Sequence, residues 1–127
     1  MTQEQKLDII NGYIKAYNQM DVPAMVSFLH EDIIFHTVNN GQYAMSVNGR
    51  AEFEALALQT LQLFSVRRQT ATQTEFNGST GSAKIDYEGT LAIDMPGFGK
   101  AGEVITFKGR SEFIFQNNLI HRLTDYN

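Results

Sequence analysis

The sequence predicts an α+β fold in which three helices of the N-terminal half pack on a mostly antiparallel sheet. Apolar residues recur at three- and four-residue steps in three segments before Val66, and from Val66 onward the period changes to two. A third observation sets the scale: 127 residues with 43% hydrophobic content supply one core, and hence a single domain spanning 1–127. Nine phenylalanines and five tyrosines let a chain of this size fold without staples.

Leu7, Ile10, Ile14 and Tyr17 mark one face of the first helix, and Thr2 followed by Gln5 resembles a capping box at its start. Asp21 suits the N-cap of a second, short helix, with Pro23 in its first turn and Met25, Val26, Phe28 and Leu29 as its apolar side. Ile33 to Val38 is β-branched and aromatic, a first strand closed by the turn-forming Asn39-Asn40-Gly41. Phe53, Leu56, Ala57, Leu61 and Phe64 define a third helix, predicted to end near Phe64. Ile85, Tyr87, Leu91 and Ile93, then Ile105, Phe107, Phe113 and Phe115, alternate with polar residues. With breaks at Asn77-Gly78, Pro96 to Gly102 and Asn117-Asn118, they describe four consecutive antiparallel strands closing with Leu119 to Tyr126. Three helices cover one face of such a sheet, which leaves the other for solvent or a second subunit.

Composition excludes several classes. The chain has no cysteine, so disulfide scaffolds, thiolate metal sites and cysteine nucleophiles are out, and a reducing compartment fits. The net charge is −4 with scattered basic residues, so nucleic acid is not an expected partner. No apolar run approaches the roughly 18 residues of a membrane span, and the polar start lacks a signal-peptide core, so the expectation is a cytoplasmic protein without membrane contact. The histidines, His30, His36 and His121, form no i, i+4 pair; no metal and no cofactor are expected. Gly97-Phe-Gly-Lys-Ala-Gly102 matches G-x-G-x-x-G in letters, but that fingerprint needs a helix after its glycines, and here strands are expected on both sides. The segment reads as a hairpin loop, with Phe98 at its tip where it could fold over a pocket mouth.

Few residues remain for chemistry. His36, inside an apolar strand, is either a core or interface histidine or a pocket acid/base. His30 reads as a helix-end histidine on free carbonyls. Tyr13 and Tyr17 lie one turn apart, so both rings can face inward, as core tyrosines or as donors to a ligand carbonyl. Arg110 and Glu112 share a face with Lys108, as solvent or subunit-contact charges. The side-by-side Leu119 and Ile120 break the last strand's alternation, which leaves the facing of Asp125 and Arg122 open.

Ala16-Tyr-Asn-Gln-Met-Asp-Val-Pro-Ala-Met-Val-Ser-Phe-Leu-His-Glu-Asp32, Ile33-Ile-Phe-His36, Val47-Asn-Gly-Arg-Ala-Glu-Phe53 and Arg110 to Tyr126 occur in this order over essentially the whole chain. Together they resemble the nuclear transport factor 2-like superfamily, nearest its SnoaL-like branch. The resemblance implies a strongly bent sheet wrapped around the first helix into a cone (a cystatin-like roll), a pocket at the wide end, and a homodimer through the sheet's outer face. It also brings in ketosteroid isomerase chemistry, where a carboxylate removes a proton beside a carbonyl while a tyrosine and a protonated acid hold the oxyanion. Aligned through Asp21 and Asp32, that tyrosine falls on Tyr13, the base on Thr37 beside His36, and the second acid near Ser111, so both carboxylates are missing. In the similar polyketide cyclases an acid/base aspartate of the final strand lies near Asp125.

The expected catalytic groups are therefore His36 as acid/base, Tyr13 as carbonyl donor, and Asp125 as alternative base or orienting partner. Tyr17, Phe35, Thr37, Tyr87, Phe107, Ser111 and Phe113 are the expected ligand contacts. Three functions stay open: an isomerase, cyclase or dehydratase on a small apolar carbonyl compound, a pocket that holds a small hydrophobic molecule without turnover, and a protein-contact domain. A cavity without a pair of acid/base groups would favour the second.

Overall fold

Residue by residue, the N-terminal half follows its local signals. The structure, a computed structural model, describes residues 1–127. Thr2 caps α1 (Gln3–Asn18) with both arms of a capping box: its Oγ1 accepts from the Gln5 amide at 3.1 Å, and Gln5 Oε1 accepts from the Thr2 amide at 2.8 Å. Asp21 caps α2 (Val22–Ser27), accepting from the Ala24 amide at 3.1 Å. That helix stops two residues before the expected Leu29. The Phe28 carbonyl instead accepts from the Ile120 amide, and Leu29 opens β1 (Leu29–Asn39). His30 accordingly lies in a strand, where its Nδ1 accepts from the Asp32 amide at 3.0 Å, rather than at a helix end.

The Asn40-Gly41 turn leads into β2 (Gln42–Asn48), a strand without a sequence counterpart, and α3 (Arg50–Thr60) follows Gly49 at φ 87°. Arg50 fastens α3 to β1, with Nε and Nη2 donating to the Leu29 carbonyl at 2.8 and 2.6 Å. The third helix ends at Thr60; one 3₁₀ turn, Leu61–Leu63, intervenes, and Phe64 already belongs to β3 (Phe64–Asn77). Strands β4 (Thr80–Leu91), β5 (Val104–Gln116) and β6 (Leu119–Tyr126) complete the four-strand antiparallel run. The whole sheet has order β2-β1-β6-β5-β4-β3, antiparallel except where β1 lies parallel to β6.

Helices cover one side of this sheet. Ile10, Tyr13 and Ile14 of α1 meet Ile33, Phe35, Ile85, Phe113, Phe115 and Leu123 of the strands in one buried cluster. Phe113, expected at a ligand, is 1% exposed within that cluster and stacks on Phe115. No helix is long and apolar enough to cross a membrane.

Gly109 lies against the end of β6: a Cβ there would overlap the Tyr126 carbonyl oxygen, a backbone atom that cannot swing aside as a side-chain end could. Gly109→Ala should therefore cost about 1–3 kcal/mol, read as a lower urea midpoint. An unchanged midpoint would show that the two strands can part without loss.

Candidate active site

Strand register decides which residues share a wall. Across β1, β6 and β5, Thr37 pairs with Asp125, and Asp125 with Ser111, so the three side chains form one row on the helix-covered side of the sheet. Thr37 and Ser111, which the resemblance sets at the positions of missing carboxylates, thus flank Asp125. Ser111 Oγ donates to Asp125 Oδ1 at 2.7 Å. The same register turns Arg122 outward, which settles the facing of the last strand.

Two chambers meet at this row. One, of about 240 Å³, lies between the three helices and β1, lined by Tyr13, Met25, Phe35, Phe53, Leu56 and Ala57 among others. The second, of about 230 Å³, opens between the sheet and the β4–β5 loop, with Ile85, Tyr87, Phe107 and Ser111 on its walls. Tyr17, Thr37, Phe64 and Asp125 line both. The glycine-rich segment is a loop between strands, pinned by a bridge from Met95 to Gly99, and Met95 and the exposed Phe98 border the second chamber. Phe107 stacks on Tyr87 with centroids 4.6 Å apart and stays 39% exposed at the rim.

Electrostatics single out Asp125. Its surface lines the chambers while protein surrounds the rest of the carboxyl, and this desolvation pushes its pKa up to about 6 against the pull of the Ser111 hydrogen bond. Tyr13 is pushed well above the ordinary tyrosine value, first by burial and then by the Asp125 charge, so its phenol is a neutral donor at physiological pH. Burial likewise raises Tyr17 and Tyr87, whose hydroxyls are 2.9 Å apart.

His36 is not at this site. One residue before Thr37, it projects from the opposite face of β1, where its ring meets Tyr43 edge-on at 5.0 Å and its Nε2 lies 3.4 Å from Arg122 Nη2. Nδ1 is buried there without a partner. The expected acid/base role of His36 is corrected on this geometry: the sheet itself separates the imidazole from Tyr13 and Asp125. The structure brings together Tyr13, Tyr17, Phe35, Thr37, Tyr87, Phe107, Ser111 and Asp125, and leaves out His36 and Phe113. Sequence reasoning missed Arg67, 2% exposed beneath Tyr17.

A family model described as SnoaL-like domain matches residues 10–123. A proposed polyketide cyclase from Xanthomonas campestris superposes with a TM-score of 0.85 at 22% identity, covering 98% of this chain and 91% of that one. Another, from Pseudomonas putida, is 26% identical with a TM-score of 0.75 over 94% and 88% of the two chains. A protein from Catenulispora acidiphila with a ketosteroid isomerase-like fold, solved with trimethylamine, has a TM-score of 0.76 at 16% identity, covering 94% and 84%. No curated protein matches the sequence.

Proposed function

The chain belongs to the SnoaL-like domain family, and from that premise we propose that it is a cofactor-free acid/base enzyme acting on a small, mostly apolar carbonyl compound, as an isomerase, cyclase or dehydratase. One observation carries the reading: a lone carboxylate with a pKa near 6 faces an otherwise apolar cavity lined by neutral phenols. In that arrangement Asp125 takes a proton from the carbon beside the carbonyl. The C–H electron pair moves to the carbonyl oxygen, which a phenol supports by hydrogen bonding. Tyr13 is the phenol the family resemblance favours. Returning the proton from Asp125 at another carbon gives isomerisation; attack of the enolate on a second carbonyl, with that proton passed to the new alkoxide, gives ring closure; and departure of a β-hydroxyl as water, on taking that proton, gives dehydration.

A direct test is exchange of solvent deuterium into a panel of cyclic ketones, followed by NMR. Exchange should climb with pH through about 6 as Asp125 ionises. In Ser111→Ala the climb should shift to higher pH, because the hydrogen bond that favours the carboxylate is gone. An unmoved midpoint would remove Asp125 as the base. A second reading, a pocket that holds an apolar ligand without turnover, is favoured by the exclusion of His36, which leaves one near-neutral titrating group at the cavity. Ligand binding that raises Tm with no exchange would establish it.

We also propose a homodimer through the outer face. Val66 and Val104, 64% and 57% exposed, flank Thr90 there in one cross-strand row. Beside them runs a groove of about 420 Å³ bordered by Arg68, Asp86, Glu88 and Lys108, a mix of both signs suited to an isologous contact. Sedimentation of a monomer at micromolar concentrations would exclude this assembly.

A further inference from the structure

Arg67 projects from β3 beneath the chamber wall, 2% exposed, and no carboxylate pairs with it; the chain's ion pair, Arg110 with Glu112, is on the surface. Its Nε donates to the Tyr17 carbonyl at 2.9 Å, its Nη2 lies 3.8 Å from the Met25 sulfur, and its Cζ sits 3.6 Å from the centroid of the Tyr17 ring. A guanidinium taken out of water onto neutral partners alone is costly, and it leaves a fixed positive potential behind that ring. On the ring's hydroxyl, Tyr17 meets Tyr87 at 2.9 Å. Whichever oxygen donates, the other phenol's hydrogen remains unspent in that bond. Both residues line the second chamber, and Tyr17 also lines the first beside Asp125.

We infer that the Tyr17–Tyr87 hydroxyl pair, with the Arg67 guanidinium fixed behind the Tyr17 ring, is the subsite that holds the negatively charged oxygen of an enolate- or phenolate-type ligand. The inference rests on reading the cavity as a carbonyl site, and it places the oxyanion at this pair instead of at Tyr13. Charge balance supports it. Tyr13, Tyr17 and Tyr87 each feel Asp125, which pushes their ionisation up, and Arg67, which pulls it down. Arg67 is the strongest influence after burial on Tyr17 and the weakest on Tyr13. Before proton transfer the buried charges here are the Asp125 carboxylate and the Arg67 guanidinium; Arg110, which also borders the second chamber, is half exposed and paired with Glu112. Afterwards Asp125 is neutral and the ligand oxygen carries the charge, so the C–H electron pair has moved the negative charge to the oxygen beside Arg67. A single buried cation balances both states, and it is in place before the reaction begins.

The test uses 4-nitrophenol, whose ionised form has its own absorption band, bound to an Asp125→Asn chain so that no carboxylate titrates alongside it. Arg67→Met should raise the ionisation midpoint of the bound probe by about one pH unit or more, a tenfold loss of preference for the anion. Arg67→Lys, which keeps the charge, should raise it less. Tyr17→Phe, which keeps the ring over the guanidinium and removes only the hydroxyl, should also raise it, and this variant decides the matter if Arg67→Met does not fold. A bound probe whose midpoint is the same in Tyr17→Phe and in every folded Arg67 variant overturns this inference alone. Failure of the unsubstituted chain to bind 4-nitrophenol overturns the cavity reading, and the inference with it.

Discussion

Asp125→Asn is expected to lower deuterium exchange at least about 10²-fold while making the chain harder to unfold at pH 8. The two effects share one cause. Burial raises the Asp125 pKa from 3.8 to about 6, so the folded chain binds this proton more tightly than the unfolded chain does. The stability that Asp125 contributes is fully present below about pH 4 and is lost as pH rises through 6. Above that, the buried carboxylate costs up to about 3 kcal/mol. Asparagine carries no charge to desolvate, and its side-chain oxygen can still accept from Ser111 Oγ. Urea midpoints of the two chains should therefore nearly coincide at pH 4 and diverge by pH 8, with the asparagine chain the more stable. A wild-type chain as stable as the variant at pH 8 would mean that the carboxylate is well solvated, and the acid/base reading would lose its support. A gain in stability with exchange retained would move the base elsewhere.

What the sequence made legible is what short-range physics decides. The capping box at Thr2, the Asp21 cap and the period-two alternation of Ile85 to Leu91 each depend on neighbours a few residues away, and the two helices begin and the strand runs where the pattern sets them, although α2 stops at Ser27 and β4 at Leu91, short of the expected Leu29 and Ile93. Strand β2 was invisible because Gln42 to Ser46 are exposed on both faces, so no alternation marks them. The parallel pairing of β1 with β6 joins segments about ninety residues apart in sequence, and it also explains the early end of α2: Leu29 is taken by Ile120. Phe64 keeps helical spacing from Leu61 but pairs with Leu91, so tertiary pairing overrides the local period.

At the site the limiting quantity was strand parity. A period of two turns an error of one residue into the opposite face, and that is the whole difference between His36, outside against Tyr43, and Thr37, inside beside Asp125. The broken alternation at Leu119 and Ile120 had the same effect on Asp125, and an irregularity in the β5–β6 pairing between Ile114 and Phe115 restores the register there. Arg67 escaped notice because its strand is polar on both faces. Its parity with Gln69 and Ala71, which are also partly turned inward, was the available signal.

Phe113→Ala is expected to cost about 3–5 kcal/mol, the largest stability loss of any substitution considered. The side chain is 1% exposed, stacks on Phe115 at 6.2 Å between centroids, and sits opposite Leu123 in the β5–β6 register, itself 1% exposed. Alanine would leave a ring-sized void within the buried cluster between sheet and helices. Phe107, six residues away along β5 towards the rim, provides the contrast: at 39% exposure its loss should weaken probe binding more than stability. If Phe113 instead lined the cavity, as its strand position alone suggests, Phe113→Ala would enlarge the chamber, admit a bulkier ligand and leave the urea midpoint near wild type. A loss under about 1 kcal/mol with stronger binding of a larger apolar probe would overturn the assignment of Phe113 to the core, and with it the boundary between the packed half of the sheet and the hollow half.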